Sequence, residues 1–171
     1  MKGFEVKIVI RTLSFLLLFE IFFLLLSMGV SLFYGEKEYS YFLVAAIAAT
    51  IVCVPGILCT NNIGRIRLGK REGFVVVSMV WVVFSFFGMI PYHISGDIPT
   101  FTDAFFETMS GFTTTGATII TDIDNLPHGL HFWRAVTQWL GGMGILMFIL
   151  ALLPALGQNS MHIVRAESPG I

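Results

Sequence analysis

A run of hydroxyl-bearing and small residues between positions 112 and 118 is the part of this sequence best suited to chemistry. It reads FTTTGAT. In an extended conformation its carbonyl oxygens could turn toward one axis, with Gly116 supplying a permissive backbone dihedral angle. Rings of such oxygens can replace the hydration shell of a monovalent cation. The residue types alone leave a polar extracellular turn as an equally good interpretation.

The segment before this run predicts a short amphipathic helix over 101–111. Apolar residues at 101, 104, 105, 109 and 112 follow helical spacing. Thr100 and Asp103 are placed for a capping box, and Gly111 suits the C′ position. About eleven helical residues span ~16 Å, roughly half of a ~30 Å hydrocarbon core, so we expect a re-entrant half-helix. The negative end of its dipole would favour cations in the cavity beyond it.

Several charged side chains accompany this segment. Glu107 could attract ions, but we favour a structural role in which it hydrogen-bonds the loop or pairs with Arg134. Glu20 lies inside an apolar run, where a charge is costly. A functional role is possible for it, but we favour a neutral or hydrogen-bonded packing residue. Four aspartates near the loop would concentrate cations at a mouth: Asp97, Asp103, Asp122 and Asp124.

The composition indicates an integral membrane protein. Of 171 residues, 56% are hydrophobic and only 12% are charged, and the mean hydropathy is +0.83. Ordinary soluble domains carry about 25% charged residues. We predict an all-α fold with spans at about 12–33, 41–59, 74–94 and 135–157. A net charge of −1 argues against a nucleic-acid partner, and we find no paired nucleophile and base, so we do not expect an enzyme.

Basic residues predict the orientation of these spans, since Lys and Arg accumulate on the cytoplasmic side. Two clusters occur, one in the amino-terminal tail and one after the second span: Lys2, Lys7 and Arg11, then Arg65, Arg67, Lys70 and Arg71. Both termini are therefore expected in the cytoplasm. We divide the chain into a two-helix region (1–73), a helix, pore-loop, helix module (74–157) with the loop at 112–118, and a cytoplasmic connection (158–171) that reads as cut off.

The stretch FFETMSGFTTTGATIITDIDNLPHGLHFWRAVTQWLGGMGI resembles the first pore repeat of the Trk/Ktr/HKT superfamily of potassium transporters, in particular the TrkH-like membrane subunit. The resemblance implies four covalently joined repeats around one pore, with two extra helices in front. This chain would supply those two helices and one repeat, one quarter of a potassium-channel-like pore. The filter would then include Thr113, Thr114, Thr115 and Gly116, with potassium bound by the carbonyls of Thr114 and Thr115 and with Glu107, Gly111 and Arg134 supporting the loop.

The same resemblance implies a setting and partners. These are a bacterial inner membrane, potassium as the transported ion with no covalent cofactor, the remaining repeats of the same subunit, homodimerisation, and a cytoplasmic nucleotide-binding regulatory subunit of the TrkA type. Two alternatives stay open. Four copies of this chain could assemble into one cation pore, or the chain could be a non-conducting assembly partner in the membrane.

Overall fold

The computed structural model describes residues 6–60 and 70–152, with the side chains of residue 70 and residues 145–152 excepted. All regular structure in these ranges is helical, which confirms the all-α membrane fold. The helices are α1 (Val6–Phe33), α2 (Tyr39–Cys59), α3 (Lys70–Gly88), α4 (Ile90–Ser95), α5 (Phe101–Phe112) and α6 (His128–Leu152). The predicted connection 158–171, the end of the fourth span and most of the basic loop lie outside the described residues.

Helices α1 and α2 form an antiparallel pair at the start of the chain. α1 begins six residues before the predicted span, since the segment with Lys7 and Arg11 continues the helix. α2 runs through Pro55 without ending. The pair packs closely where Ser14 lies against Gly56, and the Cys53 thiol donates a hydrogen bond to the Ser14 carbonyl at 3.1 Å. Small side chains thus allow a close contact between two largely apolar helices.

The span predicted at 74–94 is divided in two. α3 ends at Gly88, and α4 begins at Ile90 with Pro91 in its first turn. Proline has no N–H and disturbs the helix before it. The Gly88 carbonyl at this break accepts a hydrogen bond from the Trp133 indole at 2.9 Å. A neighbouring helix thereby satisfies backbone that lipid could not.

The short helix α5 lies between α3 and α6, and α1 contacts both α3 and α6. Phe112, at the end of α5, is fully buried between Phe84 of α3 and Trp133 of α6, with ring centroids 5.5 and 6.3 Å away. The same core continues into the leading pair through Leu17, Leu24 and Phe42. The two leading helices therefore share one core with the loop-bearing module.

Among the described residues, three helical stretches are long and apolar enough to cross a membrane. They are Val6–Phe33, Tyr39–Cys59 and Arg71–Ser95, the last comprising α3 and α4. α6 contains the predicted fourth span as far as Leu152. With 12 residues, α5 reaches ~18 Å, too short to span a bilayer.

Candidate functional site

The amino-terminal end of α5 differs from the expected capping box. Thr100 occupies the N-cap position in an extended conformation, but its side chain makes no capping hydrogen bond. Asp103 lies in the first turn and is exposed. The capping-box prediction is therefore wrong, and the start of α5 retains only the favourable interaction of an acidic residue with the helix dipole.

The carboxyl-terminal end of α5 is a Schellman motif centred on Thr114. The Thr115 N–H donates to the Ser110 carbonyl and the Thr114 N–H to the Gly111 carbonyl, both at 3.0 Å. These are the two bonds that define the motif, and they make Thr114 the C′ residue, with φ of 55°. Glycine is usual there, because a β-branched residue with positive φ is strained.

Gly111 is not the C′ residue that the sequence predicted, because α5 continues through Phe112. Its lack of a side chain matters for packing: a Cβ placed there would lie 3.1 Å from the Cβ of Thr137 on α6. Gly141 on α6 meets the backbone of Phe112 in the same way. Small residues on both helices bring the end of α5 and the backbone of α6 together.

The loop after α5 holds its own side chains in place. Thr113 Oγ1 donates to the Met109 carbonyl at 2.8 Å, so in its 2.8 Å contact with Thr115 Oγ1 it must accept. Thr114 Oγ1 lies 2.7 Å from the carbonyl of Thr113. Gly116 has φ of 74°, the left-handed conformation that its residue type predicted. The Ser110 hydroxyl donates to the Ala117 carbonyl at 2.6 Å and ties the far side of the loop back to α5.

Three consecutive carbonyl oxygens in this loop have no internal partner. Residues Thr114, Thr115 and Gly116 are exposed, and their carbonyl oxygens accept no hydrogen bond from any described residue. The Thr113 carbonyl differs, since the Thr114 hydroxyl donates to it. Exposed carbonyls on a backbone held from behind are free to take an external ligand, and a monovalent cation is a suitable one.

Glu107 and Arg134 meet behind the loop. Arg134 Nε donates to Glu107 Oε1 at 3.1 Å, and the Ile119 N–H donates to Oε2 at 3.0 Å. The Thr118 hydroxyl lies 2.9 Å from each carboxylate oxygen. The Glu107 side chain is only 3% exposed and that of Arg134 is 20% exposed. One buried carboxylate thus joins α5, the returning loop and α6.

A cavity of about 380 Å³ is lined in part by the segment that follows the loop, Ile119 to Asp122. Three of the four aspartates that the sequence singled out line it: Asp97, Asp103 and Asp122. Asp122 also accepts hydrogen bonds from the backbone and side chain of Asn125. The cavity therefore gathers three carboxylates next to the chain segment that leaves the loop.

Glu20 is fully buried in α1 beside Gly88, and its carboxyl oxygens have no hydrogen-bond partner among the described residues. The structure therefore shows a packed side chain and not a hydrogen-bonded one.

Sequence reasoning missed a second carboxylate network, formed by Glu36 in the loop between α1 and α2. Its oxygens accept hydrogen bonds from the backbone of α6, 92 residues later at His128 and 93 at Gly129. The Gly35 that precedes it could have indicated the end of α1. Nothing in the local sequence connects Glu36 to a helix so distant along the chain.

Comparisons with known proteins agree with this geometry. The family described as TrkH: Cation transport protein matches residues 40–170. The Trk system potassium uptake protein TrkH of Salmonella typhimurium is 42% identical over 138 residues, covering 80% of this chain and 27% of that protein. TrkH of Halomonas elongata is 36% identical over 167 residues, covering 97% of this chain and 34% of that protein.

A solved structure is also similar. The crystal structure of the potassium transporter TrkH from Vibrio parahaemolyticus matches with a TM-score of 0.76 at 34% identity, covering 88% of this chain and 32% of that chain. The present chain thus spans about a third or less of the length of these relatives.

Proposed function

This chain belongs to the TrkH family of cation transport proteins, and from that premise we propose that it takes part in potassium uptake across a bacterial inner membrane. The chain contributes one segment of a selectivity filter, Thr113 to Gly116, in which the carbonyls of Thr114 and Thr115 bind potassium. Other filter segments come from further repeats, as the family resemblance implies.

The observation that carries this proposal is the set of unpartnered carbonyls at 114–116. They follow a half-length helix, on an exposed backbone that Ser110 and Glu107 hold from behind. A polar turn, the alternative reading of the same residues, would not need a buried Glu107–Arg134 pair beneath it. Rigid support of the backbone is what a filter requires, because the oxygens must hold their positions when the hydration shell is removed.

Electrostatics favour cations near the residues that follow this segment. The cavity lined by Asp97, Asp103 and Asp122 raises the local cation concentration. Transport needs no catalytic chemistry, since each entering charge gains ~2.3 kcal/mol per 100 mV of membrane potential. We therefore propose passive conduction with potassium as the cargo, no enzymatic step and no covalent cofactor.

The setting and partners are also part of the proposal. We expect cytoplasmic termini from the distribution of basic residues, and homodimerisation and a TrkA-type nucleotide-binding regulator from the family resemblance. Expression of residues 1–171 alone in cells lacking their own potassium uptake systems separates the alternatives. Uptake from that chain alone supports the self-assembling pore, whereas an inserted chain with no uptake supports the need for further repeats.

Gly116→Ser tests the filter assignment in the protein expressed at its full natural length. Serine at φ of 74° is strained, so the carbonyls beside it should shift and potassium (or rubidium) uptake should fall by at least about tenfold. Gly96→Ser is the matched control. Gly96 has φ of 85°, is exposed and has open space where a Cβ would stand, but it lies outside the loop.

Uptake and sodium competition that are equal in the two serine variants would refute the filter assignment. The amount of each variant in the membrane is measured in parallel, so that lost uptake is expressed per inserted molecule.

A further inference from the structure

The carboxylate of Glu36 is held by four donors. The His128 N–H donates to Oε1 at 2.6 Å and the Gly129 N–H to Oε2 at 3.0 Å. The His128 ring nitrogen Nδ1 lies 2.8 Å from Oε1, and the Ser31 hydroxyl donates to Oε2 at 3.2 Å. Although 63% of the His128 side chain is exposed, only 15% of the Glu36 side chain is.

These bonds cap the first turn of α6 from another part of the chain. The first N–H groups of a helix have no partner inside it, and a polar side chain just before the helix usually accepts their hydrogen bonds. α6 is preceded by Pro127, whose side chain has no acceptor. Glu36 replaces the missing cap, and its negative charge interacts favourably with the positive end of the helix dipole.

The end of α1 fixes where this carboxylate stands. The Gly35 N–H donates to the Leu32 carbonyl at 3.1 Å and the Glu36 N–H to the Ser31 carbonyl at 3.0 Å, which makes a second Schellman motif with Gly35 at C′. The ring of Tyr34 stacks on His128, with centroids 4.0 Å apart and planes 5° from parallel. Glu36 is thus part of a rigid helix end, not of a free loop.

The capped helix is also the frame of the candidate filter. Arg134, less than two turns after His128, holds Glu107, and Glu107 holds Thr118 and Ile119. The backbone of Phe112 rests against Gly141 of the same helix. A displacement of the start of α6 therefore reaches the loop through the Arg134–Glu107 pair.

From this chain of contacts we infer that Glu36 is a positioning residue for the filter, through which the leading helices α1 and α2 hold α6 and the pore loop in register. The inference rests on the proposed function and adds to it. It gives the two leading helices, which contribute nothing to the filter itself, a part in determining ion affinity.

The test compares Glu36→Gln with Glu38→Gln in the protein expressed at its full natural length. Both variants remove one negative charge from the same loop, but Glu38 caps nothing with its side chain. Glutamine at 36 has one acceptor oxygen for the two backbone donors of α6. We expect the potassium concentration for half-maximal uptake to rise by up to about tenfold, since the lost capping energy limits the change in affinity. We also expect stronger competition by sodium and an unchanged amount of inserted protein.

A second pair of variants covers the case in which Glu36→Gln fails to insert. His128→Ala removes the contacts of the ring with Glu36 and with Tyr34 but leaves both backbone donors, so a smaller rise in the same direction is expected. His131→Ala, at an exposed histidine of the same helix, is its control. A half-saturating concentration and sodium competition that match the controls would overturn the inference.

Failure of this inference is distinct from failure of the proposed function. If Gly116→Ser abolishes uptake while Glu36→Gln behaves as Glu38→Gln does, only the positioning role is lost. If Gly116→Ser has no effect, the filter assignment fails and the positioning role fails with it.

Amide hydrogen exchange tests the cap on α6 independently of ion uptake. The His128 and Gly129 amides should exchange faster in Glu36→Gln than in Glu38→Gln, and equal rates would exclude the cap too.

Discussion

The ends of α1 and α5 use one motif with different residues at its centre. Each helix ends with the two hydrogen bonds of a Schellman motif, at 3.0 and 3.1 Å after α1 and at 3.0 Å for both after α5. The C′ residue after α1 is Gly35 with φ of 71°, and the C′ residue after α5 is Thr114 with φ of 55°. The backbone path is nearly the same, but only the second turn has a β-branched side chain.

This difference separates a turn that positions a side chain, Glu36, from a turn that exposes unpartnered backbone carbonyl oxygens. A left-handed conformation costs an ordinary residue about 1–2 kcal/mol and glycine almost nothing. Strain of this kind persists when the surroundings hold it, and it is concentrated at functional sites. Thr114 is held by the bond from its N–H to the Gly111 carbonyl and by the bond from its hydroxyl to the Thr113 carbonyl, and its methyl group lies near Gly142 of α6. The strained residue stands at the start of the unpartnered carbonyls.

Each turn is also paired with one carboxylate, in a different environment. Glu36 directly follows the turn after α1, keeps partial contact with water and accepts two of its four hydrogen bonds from backbone N–H groups of α6. Glu107 lies on α5 before its turn, is almost wholly buried and has an arginine partner. The first network therefore joins two parts of the fold, and the second supports the proposed filter segment directly.

Removal of the buried carboxylate should have the largest effect. Glu107→Ala leaves Arg134 without its partner and the Ile119 N–H and Thr118 hydroxyl without their acceptor. We expect a loss of about 3 kcal/mol, the lower end for breaking a buried pair, because Arg134 keeps some contact with solvent. Thermal unfolding of the purified protein in detergent measures the loss, and potassium uptake should disappear with it.

Asp103→Asn is the control for that variant, since it removes a carboxylate from the same helix at an exposed position. Its cost should stay below about 1 kcal/mol. A Glu107→Ala protein as stable as Asp103→Asn would mean that the carboxylate under the loop is no more important than one facing solvent.

An exchange of the two C′ residues tests the comparison itself. Gly35→Thr should cost about 1–2 kcal/mol from the backbone conformation alone, since no atom lies within 4 Å of the added Cβ. Thr114→Gly should relieve strain, but the greater entropy of glycine in the unfolded chain offsets part of that gain. The protein should therefore be as stable as before or up to about 1 kcal/mol more stable. The same variant should weaken discrimination between potassium and sodium, as the loop loses the Thr114 side chain.

Gly35→Asn serves as the reference for the first exchange, because asparagine tolerates the left-handed region better than threonine does. Equal unfolding midpoints for the asparagine and threonine variants would show that the turn after α1 tolerates any residue. The proposed contrast with Thr114 would then have no energetic basis.

Local patterns predicted much of this molecule. Low charge and long apolar runs indicated helices in a membrane, which the structure confirms, and helical spacing from 101 to 112 indicated a helix too short to span one. The left-handed Gly116 was predictable because only glycine adopts that conformation without strain. Pro91 could have indicated a break near the end of the third span, since proline lacks an N–H group, but no local signal indicates that α3 ends at Gly88.

The features that sequence reasoning missed depend on contacts between distant segments. Gly111 fits a C′ position by type, but packing against Thr137 explains its small size. Threonine at C′ contradicts local preference, so no pattern would assign it there. The cap on α6 joins residues 92 positions apart, and the choice of Glu36 over the neighbouring Glu38 follows from the direction in which the Gly35 turn sends the chain.

The smallest predicted effect is a pH dependence of protein stability, which arises from Glu36 in the turn after α1. Burial alone would raise the pKa of Glu36, but the N–H groups of Gly129 and His128, the His128 ring and the Ser31 hydroxyl together hold it below its ordinary value. The folded protein therefore binds this proton less readily than the unfolded chain does. The stability that results is present above the ordinary carboxyl range of about 4.3 and is lost as the pH falls through the lowered value.

Glutamine at position 36 does not titrate, so it removes this dependence. The difference in unfolding midpoint between the wild-type protein and Glu36→Gln should be greatest near neutral pH and should shrink on acidification. The same comparison in a His128→Ala background removes the ring contact with Glu36 and should keep the sign. If the difference stays constant with pH, the carboxylate does not gain its stability from the amides of α6. The turn after α1 would then have no connection to the proposed filter through the Glu36 carboxylate.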